Sequence, residues 1–253
     1  MVGEALVVVV RTPEEFHRWL EESTPEVQWI QVENLLPEPE AWAAAARIQS
    51  EVALDVVMSD PAVEFPLLYR LVDVRTVRDV RVTIPVRKGF LKALRLAASL
   101  QLPGRLLPGQ PDQETLAELR EALGFYLHDP MVEAPVEFLH TTLGWCRGVS
   151  GADLWVTLEQ DPAVFQHLDA SGVPVLPADR AGVTAAGFVD DHLRRLGHEK
   201  AECVSCRWLD FCRGYFKLPE PGYSCAGIVH VFDSINRSAR EMDSELAACD
   251  YKH

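Results

Sequence analysis

A regular alternation of strand-like and helix-like segments runs from Ala5 to Leu123 of this 253-residue chain. The run Ala5–Val10 is continuously apolar and mostly β-branched, which predicts a strand covered on both faces. Thr12 and Pro13 then predict a helix start, because Thr caps a helix and Pro fits its first turn. Further strands are predicted at Val27–Val32, Ala53–Met58, Asp79–Val86 and Leu102–Leu107, and helices at Pro39–Ser50, Lys88–Leu100 and Pro111–Leu123.

Repeated strand-then-helix units predict parallel strands joined by right-handed crossovers. They are too few for a complete eight-stranded barrel, so they fit a partial (β/α) barrel or a doubly wound sheet. Glycine and proline punctuate the later sequence, where we expect a small hairpin of Asp153–Glu159 and Gly172–Leu176, followed by helices at Gly187–Leu196 and Ser234–Ala248. The predicted class is α/β, with a barrel-like domain over residues 1–141 and a small domain over residues 142–253.

Charge and hydropathy limit the partners. The formal net charge is −14, with 25% charged and 48% hydrophobic residues. Nucleic acid and anionic membranes would repel such a chain, whereas a basic protein or peptide would suit it. No apolar run approaches the length of a membrane span, and Glu4 stands where a signal peptide would carry basic residues. We therefore expect a cytoplasmic protein, whose negative charge either suits a protein or peptide partner or simply keeps the chain soluble.

Four cysteines lie close together in the order C-x2-C-x5-C-x12-C: Cys203, Cys206, Cys212 and Cys225. In a reducing cytoplasm such a group indicates a metal site more than disulfides. Both zinc and a [4Fe–4S] cluster are held by four thiolates. Structural zinc usually takes two close pairs of ligands, and the second pair here is widely spaced. The spacing therefore favours a [4Fe–4S] cluster, with zinc as the alternative.

Residues around these cysteines fit a cluster. Arg207, Arg213 and Lys217 would offset the negative charge of four thiolates. Trp208, Phe211, Tyr215 and Phe216 would exclude water, although packed loops also contain such residues. Cys146 is a spare candidate ligand or a buried thiol, and Cys249 is expected to be a free thiol.

Other candidate sites are weaker. Glu137 and His140 are three residues apart and form a possible ligand pair, or they border a buried segment. The run Asp190-Asp191-His192 is expected to be a solvated helix face, since adjacent helical positions point in different directions. No phosphate-binding, dinucleotide-binding or nucleophile-elbow motif occurs in the sequence.

The run from Cys203 to Gly214, C-x2-C-x5-C-x-G, resembles the SPASM domain found in radical SAM peptide-modifying maturases. The resemblance covers residues 140–230, and Cys146 in CRGVSGADLWVTLEQDP looks like the leading cysteine of that region. The chain departs from the family in three places. It has no cysteine before Cys146, so the C-x3-C-x2-C motif of radical chemistry is missing. Phe216 occupies a usual cysteine position. His167 lies near another such position, where it could replace a lost ligand, although we expect an exposed histidine there.

The resemblance implies an accessory iron–sulfur protein on a degenerate radical SAM-like scaffold. It would bind one [4Fe–4S] cluster through Cys203, Cys206, Cys212 and Cys225 and act beside an active maturase or its peptide substrate. It would transfer electrons or bind the partner, and would not be a stand-alone radical SAM enzyme. Two alternatives remain open: a scaffold or peptide-binding protein stapled by zinc or a cluster, and an enzyme that uses His140, Glu137 or Cys146.

Overall fold

The computed structural model describes residues 5–175 and 187–250. Within these ranges, seven parallel strands form one sheet: β1 (Ala5–Val10), β2 (Val27–Glu33), β3 (Ala53–Val57), β4 (Val80–Pro85), β5 (Gly104–Leu107), β6 (Val136–Glu137) and β7 (Phe165–Asp169). The strand order is β6-β5-β4-β3-β2-β1-β7. This order is compatible with a partial (β/α) barrel: β1 to β6 follow one another in sequence order, and β7 lies on the other side of β1.

The helices that separate and follow the strands are α1 (Pro13–Glu22), α2 (Pro39–Ala45), α3 (Pro61–Glu64), α4 (Phe90–Ser99), α5 (Gln113–His128), α6 (Leu139–Cys146), α7 (Leu154–Thr157), α8 (Phe188–His198), α9 (Leu209–Cys212) and α10 (Ala226–Asp250). Helix α1 begins at a capping box: Thr12 accepts from the Glu15 N–H, and Glu15 accepts from the Thr12 N–H. Helix α10 packs against α5 and α6, so the end of the described chain extends the helical layer of the first half.

The two faces of the sheet differ in chemistry. Side chains of one face, such as Val8, Ile30 and Val82, belong to the main hydrophobic core, to which the helices contribute Phe16, Leu94 and many others. The strand register places a second set side by side on the opposite face: Val7, Gln31, Asp55, Arg81, Thr83, Arg105 and His167. Most of this second set is polar, yet all of it is buried. The polar face therefore needs internal partners for its charges.

Strands predicted in the first half are confirmed, with small shifts at their ends. The predicted helix at Pro39–Ser50 ends early, at Ala45. The predicted strand Asp153–Glu159 is wrong: Asp153 accepts from the Val156 N–H at 3.0 Å and caps helix α7. No hairpin involves that segment.

The last strand of the sheet is β7, which the sequence did not predict. It pairs in parallel with β1, His167 beside Val7. One antiparallel bridge joins Leu168 of β7 to Pro174. Pro174 belongs to the predicted strand Gly172–Leu176, and the last residue of that strand lies outside the described ranges. The boundary near residue 142 stays a prediction, although β7 follows it in sequence and shares the sheet of the first half.

The helix predicted at Gly187–Leu196 is confirmed as α8, and the terminal helix begins earlier than predicted, at Ala226. Short strand β6 and helix α6 were not predicted. Across residues 5–175 and 187–250, no helix combines the length and apolar character needed to cross a membrane.

Candidate functional site

The four clustered cysteines come from separate short elements that converge. Cys203 lies in a 3-10 turn, Glu202–Ser205, and Cys206 directly follows it. Cys212 ends helix α9, and Cys225 immediately precedes helix α10. All four line one cavity of about 240 Å³. The structure thus brings together the four residues that the spacing selected.

Apart from Glu202, apolar residues form the rest of the cavity wall. The cavity is lined by Trp208, Leu209, Phe216, Ile228 and Phe232. The ring centroids of Trp208 and Phe232 are 5.2 Å apart, and those of Phe211 and Phe232 are 5.5 Å apart. This aromatic cluster anchors the cysteine-bearing loops to helix α10. The cysteines therefore lie beside a largely apolar wall; Cys203 is buried, and the other three are half-buried.

Hydrogen bonds act directly on two of the thiols. A hydrogen bond with the Cys225 thiol lowers the pKa of Cys203 to about 7, against the opposing effect of burial. The same bond, together with burial, raises the pKa of Cys225. Glu202 accepts from the Cys225 N–H at 2.9 Å and from Lys217 Nζ at 2.8 Å. One lysine is thereby held close to this pair of sulfurs.

Cys212 lies in a nest of backbone donors. Burial raises the pKa of its thiol to about 12, even though the N–H groups of Phe216, Tyr215 and Gly214 hydrogen-bond its sulfur. Gly214 makes this loop possible with a φ of +73°. Successive N–H groups aimed at one sulfur stabilise a thiolate, which is the form that binds a metal.

The cavity and its donors fit a group larger than one ion. A volume of about 240 Å³ is many times the roughly 30 Å³ that one water takes in the liquid. Four thiols, backbone donors and an apolar wall are the surroundings that hold iron–sulfur clusters. Among residues 5–175 and 187–250, no group of three or more His, Cys, Asp or Glu side chains is placed to hold a metal ion, so the four thiols line one cavity without meeting at one point.

Of the three predicted basic neighbours, Lys217 is the one beside the thiols. Arg207 is paired with Asp233, and Arg213 is paired with Asp153 and Asp190. These arginines hold the loops to neighbouring helices, because their charges are already matched by carboxylates.

The spare candidates lie elsewhere. Cys146 ends helix α6, outside the lining of the cysteine cavity, and burial raises its pKa to about 11. The two members of the Glu137 and His140 pair have separate partners: Glu137 accepts from Thr141, and His140 Nδ1 is 2.9 Å from the Tyr126 hydroxyl.

His192 is buried, and its Nε2 atom lies 3.0 Å from the Gly214 carbonyl oxygen. The Asp190 to His192 run is therefore only partly a solvated face: Asp190 and Asp191 are exposed as expected, whereas His192 is buried.

A second polar site, which the sequence did not reveal, lies on the polar face of the sheet. Asp55 accepts from Arg105 and, at 3.2 Å, from Arg81. Glu159, in the turn after α7, accepts from Arg81 Nη1 at 2.6 Å and from Arg105 Nη1 at 2.5 Å. Burial acts to raise the pKa of both carboxyls, but the two arginines outweigh it and hold each pKa below its ordinary value. The network therefore contains two buried positive charges and two buried negative charges, and its net charge is zero.

A cavity of about 500 Å³ opens beside this network at the carboxyl ends of the strands. His167 lines this cavity and not the cysteine cavity, so the structure does not place it beside the thiols. The expectation of an exposed histidine is also wrong, because His167 lies on the buried polar face of the sheet. Burial lowers the pKa of His167 to about 4, so its imidazole is neutral at pH 7.

Comparison of the chain with protein-family models, with curated proteins and with solved structures finds no match.

Proposed function

We propose that the protein is an iron–sulfur accessory protein that binds one [4Fe–4S] cluster through Cys203, Cys206, Cys212 and Cys225. The observation that carries the proposal is the convergence of these four cysteines on one largely apolar cavity. The N–H groups directed at Cys212 and the lysine held beside Cys203 and Cys225 support it, because both favour anionic sulfur.

Such a cluster would supply one-electron transfer, and full ligation by four thiolates would leave no iron free for substrate. The chain's own residues would set its surroundings. The aromatic side chains exclude water, and Lys217 offsets part of the negative charge. The role that follows is electron transfer or partner binding.

The setting that we propose is peptide or protein maturation in the cytoplasm, beside an active maturase or its peptide substrate. Its support is the SPASM-like spacing from Cys203 to Gly214 in a chain that has no C-x3-C-x2-C motif. The small C-terminal domain would then be SPASM-like, on a degenerate radical SAM-like scaffold.

The test is anaerobic purification followed by iron, sulfide and zinc analysis. We expect about four irons and four sulfides per chain after reconstitution, and an EPR signal on reduction. Serine variants at each of the four cysteines should lose most of the iron. The matched control is Cys146→Ser, which removes a thiol outside the cavity and should keep it. A colourless protein with one zinc and no iron would overturn the cluster.

A second candidate is a scaffold or peptide-binding protein whose metal staples the C-terminal loops without a redox role. The direct contact between the Cys203 and Cys225 thiols favours it, because structural zinc holds its sulfurs close together. Zinc at one per chain, lost in the same four serine variants, would select this candidate.

A further inference from the structure

The cavity at the carboxyl ends of the strands has the size and position of a ligand site. Its volume of about 500 Å³ falls within the roughly 300–1,000 Å³ of small-molecule pockets. Its lining includes the ends of β2, β3, β4 and β5. In parallel α/β sheets, ligands bind at this edge because the loops that follow the strands converge there.

His167 supplies polar groups that a ligand could use. Its side chain is 8% exposed and lines the cavity. No described residue hydrogen-bonds either of its ring nitrogens. A neutral imidazole offers one donor and one acceptor, and both are available to a molecule that enters the cavity. A bound molecule would satisfy them.

The charges around the cavity leave one cation unmatched. Glu33 is paired with Arg11 at 2.9 Å, and Glu159 is paired with Arg81 and Arg105. Arg87 is exposed at the rim and forms no ion pair within the described residues; its nearest polar contact is the Ser59 carbonyl at 3.5 Å. A ligand with a single negative charge therefore complements the site, and guanidinium binds carboxylate in a bidentate manner.

The neutral lining indicates what accompanies that charge. It consists of amide side chains, one hydroxyl and several apolar side chains: Gln31, Asn34, Gln110, Gln160, Ser59, Met58, Val86, Leu107 and Leu158. Gln31 Nε2 and Gln110 Nε2 already donate within the protein, and Asn34 Oδ1 accepts from Ser59. The amide oxygens of Gln31 and Gln110 and the amide nitrogen of Asn34 have no hydrogen bond among the described residues, so they match the donors and acceptors of a peptide group. The apolar residues match an aliphatic side chain.

We propose that this cavity binds the carboxyl-terminal residue of a peptide, or an N-acylated amino acid of the same chemistry. Arg87 pairs with the terminal carboxylate, the side-chain amides meet the peptide group, and His167 completes the polar contacts at the base. The site is distinct from the cysteine cavity and does not depend on a cluster.

The test uses the full chain and two matched probes, N-acetyl-leucine and N-acetyl-leucinamide, titrated by NMR. The acid should bind at least about tenfold more tightly than the amide, because only the acid pairs with Arg87. Arg87→Gln should abolish the difference, and His167→Phe should weaken both probes several-fold. Arg95→Gln is the control, since that exposed arginine pairs with Glu121 and does not line the cavity.

Equal affinity for acid and amide, or a preference that survives Arg87→Gln, would overturn the proposal. Absence of binding by either probe would do the same. The Cys212→Ser variant should keep the preference for the acid. A failure of the cluster proposal is therefore distinguishable from a failure of this one.

Discussion

Gln110 Nε2 donates a hydrogen bond of 2.9 Å to the carbonyl oxygen of Phe216. It also donates to the Glu220 carbonyl at 2.9 Å, and the Tyr223 hydroxyl donates to the Pro111 carbonyl at 2.8 Å. Gln110 lines the cavity at the strand ends, whereas Phe216 lines the cysteine cavity. The two cavities therefore share a wall, built from the loop after β5 and the loop between Cys212 and Cys225.

Gln110→Ala should loosen this wall. It removes two hydrogen bonds, each worth about 1 kcal/mol, so the free energy of unfolding should fall by about 1–2 kcal/mol. Hydrogen exchange of the amides between residues 214 and 225 should accelerate. Gln113→Ala, at an exposed position nearby on α5, should change the free energy by less than about 0.5 kcal/mol. Unchanged exchange in the Gln110 variant would show that the wall does not depend on this amide.

Glu159→Gln should strongly destabilise the protein. It removes one of two negative charges that hold Arg81 and Arg105 in a buried position. Breaking such a network by one partner costs about 3 kcal/mol or more, measurable by urea unfolding. Glu121→Gln breaks the exposed pair with Arg95 and should cost less than about 1 kcal/mol. Similar costs for the two variants would contradict the role of the network.

Acid should act through the same carboxyls. The pKa of Asp55 and of Glu159 is lower in the folded protein than in the unfolded chain, where it is about 4. Their stabilising contribution is therefore complete above about pH 5 and is lost as the pH falls from there toward the folded values. Urea unfolding between pH 7 and pH 3 should show this loss, and Glu159→Gln should show a shallower one. A stability that is independent of pH below 5 would disprove it.

Gly214→Ala should disrupt the loop around Cys212. Gly214 has a φ of +73°, and an added Cβ would lie 2.5 Å from Leu196 Cδ1 and 3.2 Å from His192 Nε2. The positive φ alone costs about 1–2 kcal/mol, and the contacts add to it. Unfolding measurements should show the loss, with faster exchange at Tyr215 and Phe216. Gly197→Ala, with open space around it in helix α8, should be neutral or stabilising.

The sequence predicts most strands because their apolar runs are strong local signals. Asp153–Glu159 misleads because Leu154, Val156 and Leu158 alternate as in a strand, whereas the Asp153 cap directs the backbone into a helix. Strand β7 has no such run, and its pairing with β1 depends on contacts distant in sequence.

The cysteine spacing singles out four thiols that line one cavity, whereas their role as ligands stays a prediction. The polar network also has a weak signal in the sequence: Asp55, Arg81 and Arg105 are each the single charged residue of a mainly apolar strand. Each residue looks isolated along the chain. Only the register of neighbouring strands places them side by side, and register is a property of the assembled sheet.

The place of β7 beside β1 has a consequence for the protein as it is being made. On the ribosome, β1 can pair with β2 early, but its other side stays open until Phe165–Asp169 has emerged. An unpaired edge on the run Ala5–Val10 is a ready template for another chain. Nascent chains that stall before β7 should therefore be the species most prone to aggregate and most in need of chaperones.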